Sequence, residues 1–73
     1  MEYYEILKQL RIDNDLYQKD IAKVLKIDQQ YYSKYERGIN EMPIRHLRTL
    51  CIFYGVSADY ILGLPEGLKY IKR

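Results

Sequence analysis

Apolar residues along this chain recur at spacings of three and four, the period of helices that bury one side. In residues 2 to 13 (EYYEILKQLRID), Tyr3, Ile6, Leu7 and Leu10 form such a stripe, which predicts a first helix packed by that side. Asp13, Asn14 and Asp15 read as the turn that ends it, and Leu16 pins the following loop. A second stripe, Ile21, Ala22 and Leu25, predicts a short helix beginning near Tyr17 and Gln18; either Asp15 caps it or its first turn frays. Lys26, Ile27 and Asp28 make a tight connection with Ile27 as a buried peg. A third helix over residues 28 to 37 follows, with Asp28 as N-cap, Tyr32 and Tyr35 turned inward, and Gly38 as its stop.

The loop Ile39 to Met42 leads to Pro43, which opens a fourth helix at its first position. Ile44, Leu47, Leu50, Cys51 and Tyr54 trace its inward face until Gly55. Val56 is a buried connector, Ser57 caps a last short helix, and Ile61 and Leu62 close the core before Gly63. The chain therefore reads as all-α, a compact five-helix bundle in one domain over residues 1 to 64, with residues 65 to 73 as a tail or dimer strap.

Composition narrows the function. Seventy-three residues suffice for one small core and bury about 60% of the unfolded surface. No apolar run approaches membrane-spanning length, and the N-terminus carries acids where a signal peptide needs positive charge, so a cytoplasmic protein is expected. One cysteine, Cys51, allows no internal disulfide and is expected in the core. His46 is expected to be partly exposed. Together they fall short of a zinc set, so no metal or cofactor is implied. No nucleophile stands beside a base and no glycine-rich phosphate loop is present, which argues against an enzyme.

Charge is more informative by position than in sum. The net is +2, but residues 1 to 20 carry −2 and residues 21 to 48 carry +3, the asymmetry of a molecule that turns one side toward phosphate. Within the basic part, the outer side of the third helix holds Gln29, Gln30, Ser33, Lys34 and Arg37. Two amides, a hydroxyl and two cations suit a polyanion, and a glutamine against adenine makes one of the bidentate pairings that read a base edge.

The Arg11 position, the runs Gln18-Lys19-Asp20-Ile21-Ala22 and Tyr35-Glu36-Arg37-Gly38, Pro43, and the run Val56 to Gly63 resemble the helix-turn-helix domains of the Xre family, lambda-repressor-like in fold. The resemblance covers about Ile6 to Leu64. It implies double-stranded DNA as partner, with Gln29, Gln30 and Lys34 facing base edges and Gln18 touching a phosphate. It also implies a structural pair of Arg11 with Glu36 and a repressor acting as a homodimer. Tyr17 departs from the family's small hydroxyl cap, and the loop after Gly38 lacks the usual bases, leaving Lys19, Tyr31 and Arg37 as further phosphate candidates. A different class of function stays open. Nine tyrosines exceed what a small core hides, and Tyr3, Tyr4, Tyr31, Tyr60 and Tyr70 would make a surface for a regulatory protein.

Overall fold

The structure, a computed structural model, describes residues 1–69 and 71. Five helices succeed one another: α1 (Tyr3–Asp13), α2 (Gln18–Leu25), α3 (Gln29–Glu36), α4 (Ile44–Tyr54) and α5 (Ala58–Leu62), with no strand among the described residues. Each end has a local cause. Glu5 reaches back to accept the Glu2 N–H at 2.8 Å and starts α1. At its other end the Asn14 amide donates to the Leu10 carbonyl at 2.7 Å, and Asp15, at φ +56°, turns the chain out of the helix. Asp15 is thus spent on the exit from α1 and does not cap α2. That start is held by Asp20, whose carboxylate accepts the Tyr17 N–H at 2.8 Å, so an acid three residues on compensates for the missing hydroxyl.

The connection from α2 to α3 is only three residues long. Lys26 takes a left-handed conformation at φ +58°, which lets the Ile27 N–H return to the Ala22 carbonyl at 3.0 Å and sends the chain off in a new direction. Pro43 stands as the N-cap of α4, one residue ahead of its first turn. Ser57 caps α5 by accepting the Tyr60 N–H at 3.2 Å.

Leu7, Ile21, Ala22, Leu25, Tyr32, Tyr35, Met42, Leu50 and Ile61 form the core, drawn from all five helices and the α3–α4 loop. Each fully buried aliphatic contributes about 1.5–3 kcal/mol. Several inward assignments shift. Ile44 is 82% exposed and Leu62 also faces water, because α4 and α5 meet the body by other sides, through Leu50 and Ile61. His46 occupies the place expected of Ile44: it is only 9% exposed and lies edge-on to Tyr35 with ring centroids 6.0 Å apart. Cys51, Ile27 and Val56 pack at the core's margin, half-buried.

Candidate nucleic-acid interface

The side chains of α3 divide sharply. Tyr32, Tyr35 and Glu36 are buried, whereas Gln29, Gln30, Tyr31, Lys34 and Arg37 are exposed and Ser33 half-exposed. At about 100° per residue, Gln30, Lys34 and Arg37 fall near the middle of the outward side, with Gln29 and Ser33 on one flank and Tyr31 on the other. The outward amides and cations are covered by no other part of the described chain. The Arg37 guanidinium leans back on the Ser33 carbonyl at 3.4 Å, so its charge sits over the last turn of α3.

What fixes α3 is a polar cluster beneath it. Glu36, 5% exposed, receives the Arg11 guanidinium on both carboxylate oxygens, Nε at 2.7 Å and Nη2 at 3.0 Å. The same Arg11 donates from Nη1 to the Leu16 carbonyl at 2.9 Å, tying α1 to the loop before α2. Gln18 also donates to Glu36, at 3.1 Å. Burial pushes the Glu36 carboxyl upward, but the hydrogen bonds led by Arg11 outweigh it and hold the group below the usual carboxylate range. The phenols of Tyr32 and Tyr54 end buried near this cluster without a hydrogen bond of good geometry. Burial raises both, Tyr54 to about 12.

Gln18, a phosphate candidate from its position at the start of α2, therefore has part of its amide committed to Glu36. The first backbone N–H groups of the helix, at Gln18 and Lys19, have no intrahelical partner. Lys19 beside it is exposed, with its ammonium 5.5 Å over the Tyr17 ring. On the other flank Tyr31 meets Tyr35 edge-on at 5.4 Å and lines a shallow cavity of ≈ 400 Å³ with Asp28, Arg45 and His46. Arg45 is a further cation beside α3, lining that cavity with Tyr31 and Tyr35. Only the turn of the α3–α4 loop brings it there, and no spacing along the chain announces that. Burial, followed by the neighbouring Arg45, lowers the His46 pKa, which favours the neutral imidazole.

The far end of α3 is held from α1. The Tyr3 hydroxyl accepts the Met42 N–H at 3.0 Å, and the Tyr4 ring lies over Gly38, where an added methyl would come within 2.7 Å of Tyr4 Cζ. Gly38 also sits at φ +73°, a conformation glycine adopts without penalty. Tyr3 and Tyr4 are thus half-buried parts of the fold. Tyr31 and Tyr60 are exposed, and Tyr70 lies outside the described residues.

A helix-turn-helix family model matches residues 7–61, which takes in α2, its three-residue turn and α3 whole. The chain belongs to this family, in its Xre-like branch. Among its helix-turn-helix relatives is an uncharacterized HTH-type transcriptional regulator, YobD, of Bacillus subtilis (strain 168), 36% identical over 64 residues that make up 88% of this chain and 57% of the relative. The cryptic phage CTXphi transcriptional repressor RstR of Vibrio cholerae is 28% identical over 86% of this chain and 61% of its own length. In three dimensions the domain superposes on the crystal structure of a transcriptional regulator from Listeria innocua with a TM-score of 0.84, over 93% of this chain and 64% of the other, at 22% identity. The two share the fold. The chain spans little more than half the length of the curated relatives it matches. No described helix is long and apolar enough to cross a membrane.

Proposed function

We propose that this helix-turn-helix domain binds double-stranded DNA by sequence, with α3 in the major groove, and represses transcription as a homodimer on a two-fold site. The observation that carries the reading is the outward side of α3, where Gln29, Gln30 and Lys34 stand exposed while Glu36 on the opposite side is locked by Arg11. The amides offer bidentate contacts to adenine, and Lys34 suits guanine O6 and N7. Lys19, Tyr31 and Arg37, with the start of α2 at Gln18, hold the flanking phosphates. One reading helix of eight residues spans only a few base pairs, so two copies about one helical turn apart supply the selectivity. The names of the relatives, regulators and a phage repressor, support the same reading.

Selection of bound duplexes from a random pool tests binding, base preference and symmetry together. The expected product is an inverted repeat. Lys19 and Arg37 from each of two copies predict a log–log salt slope of about −3.6, at about −0.9 for each phosphate. Gln30→Ala is expected to relax one base position by roughly 1–3 kcal/mol while Lys19→Ala weakens all duplexes alike. A pool with no enrichment, or a slope of zero, overturns the reading.

The alternative, a tyrosine surface for a regulatory protein, has less support, since Tyr3 and Tyr4 are engaged by Met42 and Gly38.

A further inference from the structure

Two buried phenols take no part in the ties that hold α3. The Tyr32 and Tyr54 hydroxyls are shut off from solvent with no hydrogen-bond partner, an arrangement costly enough that most folds avoid it. Both stand beside the Glu36 carboxylate and the Arg11 guanidinium. Tyr32 is the better placed of the two. It is fully buried and lies one turn before Glu36 on the inward side of α3, at the spacing of four that sets side chains next to each other. It also helps to hold the Glu36 carboxyl low, although its O–H is not aligned for a hydrogen bond. Tyr54 reaches the carboxylate only through its field.

What keeps Tyr32 off Glu36 is prior occupation. Glu36 Oε1 accepts from Arg11 Nη2 at 3.0 Å and from Gln18 Nε2 at 3.1 Å, and Oε2 accepts from Arg11 Nε at 2.7 Å. Two donors fill a carboxylate oxygen. Of the three bonds, the one from Gln18 is the one the fold gives up most readily. Arg11 is fixed from a second direction by the Leu16 carbonyl, whereas Gln18 is uncharged, half-buried and at the first position of α2. There the unpartnered N–H groups of Gln18 and Lys19 favour an anion. A single amide nitrogen that held both anions would bring carboxylate and phosphate to within about 5 Å, where like charges repel. Gln18 therefore serves one or the other.

We infer that Tyr32 is a positioning residue with its hydroxyl in reserve: when Gln18 turns outward to a backbone phosphate, the Tyr32 O–H takes its place on Glu36, and the Arg11–Glu36 pair keeps α3 seated. The inference rests on the DNA-binding reading above. Without the reserve, each phosphate contact by Gln18 strips a donor from a buried carboxylate. A hydrogen bond to a charged group corresponds to roughly tenfold to a hundredfold in an equilibrium, so the phenol decides whether the contact by Gln18 adds to affinity or is cancelled from within the fold.

Two double-mutant cycles test it, one of them without DNA. In urea unfolding of the free protein, Tyr32→Phe is expected to leave the midpoint unchanged or raise it, because the hydroxyl it removes is unpaired. In the Gln18→Ala background, where the phenol already serves Glu36, the same change is expected to lower the midpoint. In duplex binding, Tyr32→Phe is expected to weaken affinity for all sequences roughly tenfold in the parent and not at all in the Gln18→Ala background, with Tyr54→Phe inert in both. Tyr32→Phe that destabilises the parent as much as it does the Gln18→Ala variant, or affinity that Tyr32→Phe leaves unchanged, overturns the exchange. An equal loss of affinity in Tyr54→Phe overturns the assignment to Tyr32. Coupling in the unfolding cycle with no retention of any duplex leaves the reserve bond standing and removes the DNA reading.

Discussion

Removing Glu36 alone leaves the guanidinium of Arg11, whose side chain is 13% exposed, without its counter-charge, and leaves Gln18 without its acceptor. Breaking a buried pair from one side costs about 3–5 kcal/mol, whereas replacing both partners with apolar residues of similar volume is often neutral. A domain of this length has about 4–11 kcal/mol of total stability, from the usual range per residue. Glu36→Leu and Arg11→Met are therefore each expected to remove a large part of that stability, since the first strands a guanidinium that keeps only the Leu16 carbonyl and the second strands the more deeply buried carboxylate with only Gln18. The double variant is expected to recover to within about 1 kcal/mol of the parent. The residue of that loss is the Leu16 carbonyl, which gives up its bond from Arg11 Nη1. Urea unfolding followed by circular dichroism resolves these differences, because a slope of about 1 kcal/mol/M turns a 3 kcal/mol loss into a midpoint shift of about 3 M. A cycle in which the two losses add to within about 0.5 kcal/mol would show that the charges do not depend on each other, and the account of what holds α3 in place would fail.

Three further outcomes are expected. Gly38→Ala places a methyl against the Tyr4 ring in a left-handed conformation and is expected to lose about 1–2 kcal/mol, read as a melting temperature lower by about 4–8 °C per kcal/mol; an unchanged melting point refutes it. Stability is expected to fall with acid in two stages. Below the ordinary histidine pKa of about 6.5, the unfolded chain protonates His46 while the fold, which lowers that pKa, resists. Below the ordinary carboxylate value, the contribution of Glu36, whose folded pKa is lowered, is lost as pH falls through it. His46→Phe is expected to flatten the first stage only, and an unaltered pH profile counts against the buried imidazole. Gln18→Ala is expected to lose about 1 kcal/mol through its bond to Glu36 and to change the salt slope of DNA binding little. A loss of affinity for all duplexes with stability intact would make Gln18 a phosphate contact alone.

Most of the helices could be read from the chain because their signals are local. Ile21, Ala22 and Leu25 share a side by spacing, and Asn14, Gly38, Gly55 and Gly63 stop helices by backbone preference, as they do in the fold. The outward set on α3 was legible for the same reason, since Tyr32 and Tyr35 define the inward side. What escaped depends on contacts distant in sequence. Ile44 fits the apolar spacing of α4, but the helix is rotated by the fit of His46 against Tyr35, and a polar ring took the inward place. Gln18 reads as a free helix start until α3 folds back and brings Glu36 to it across 18 positions. Met42, assigned to a loop, is buried because the Tyr3 hydroxyl captures its N–H.

That capture reaches beyond the loop itself. The first turn of the chain, through Tyr3 and Tyr4, grips the residues that follow α3, so the angle at which α3 leaves the body is set in part by a segment more than thirty positions earlier in sequence. Extensions or deletions at the N-terminus should therefore shift α3 without touching any residue on its outward side, and an excised α2–α3 peptide, with two helices of eight residues each, should lose its helicity along with its orientation.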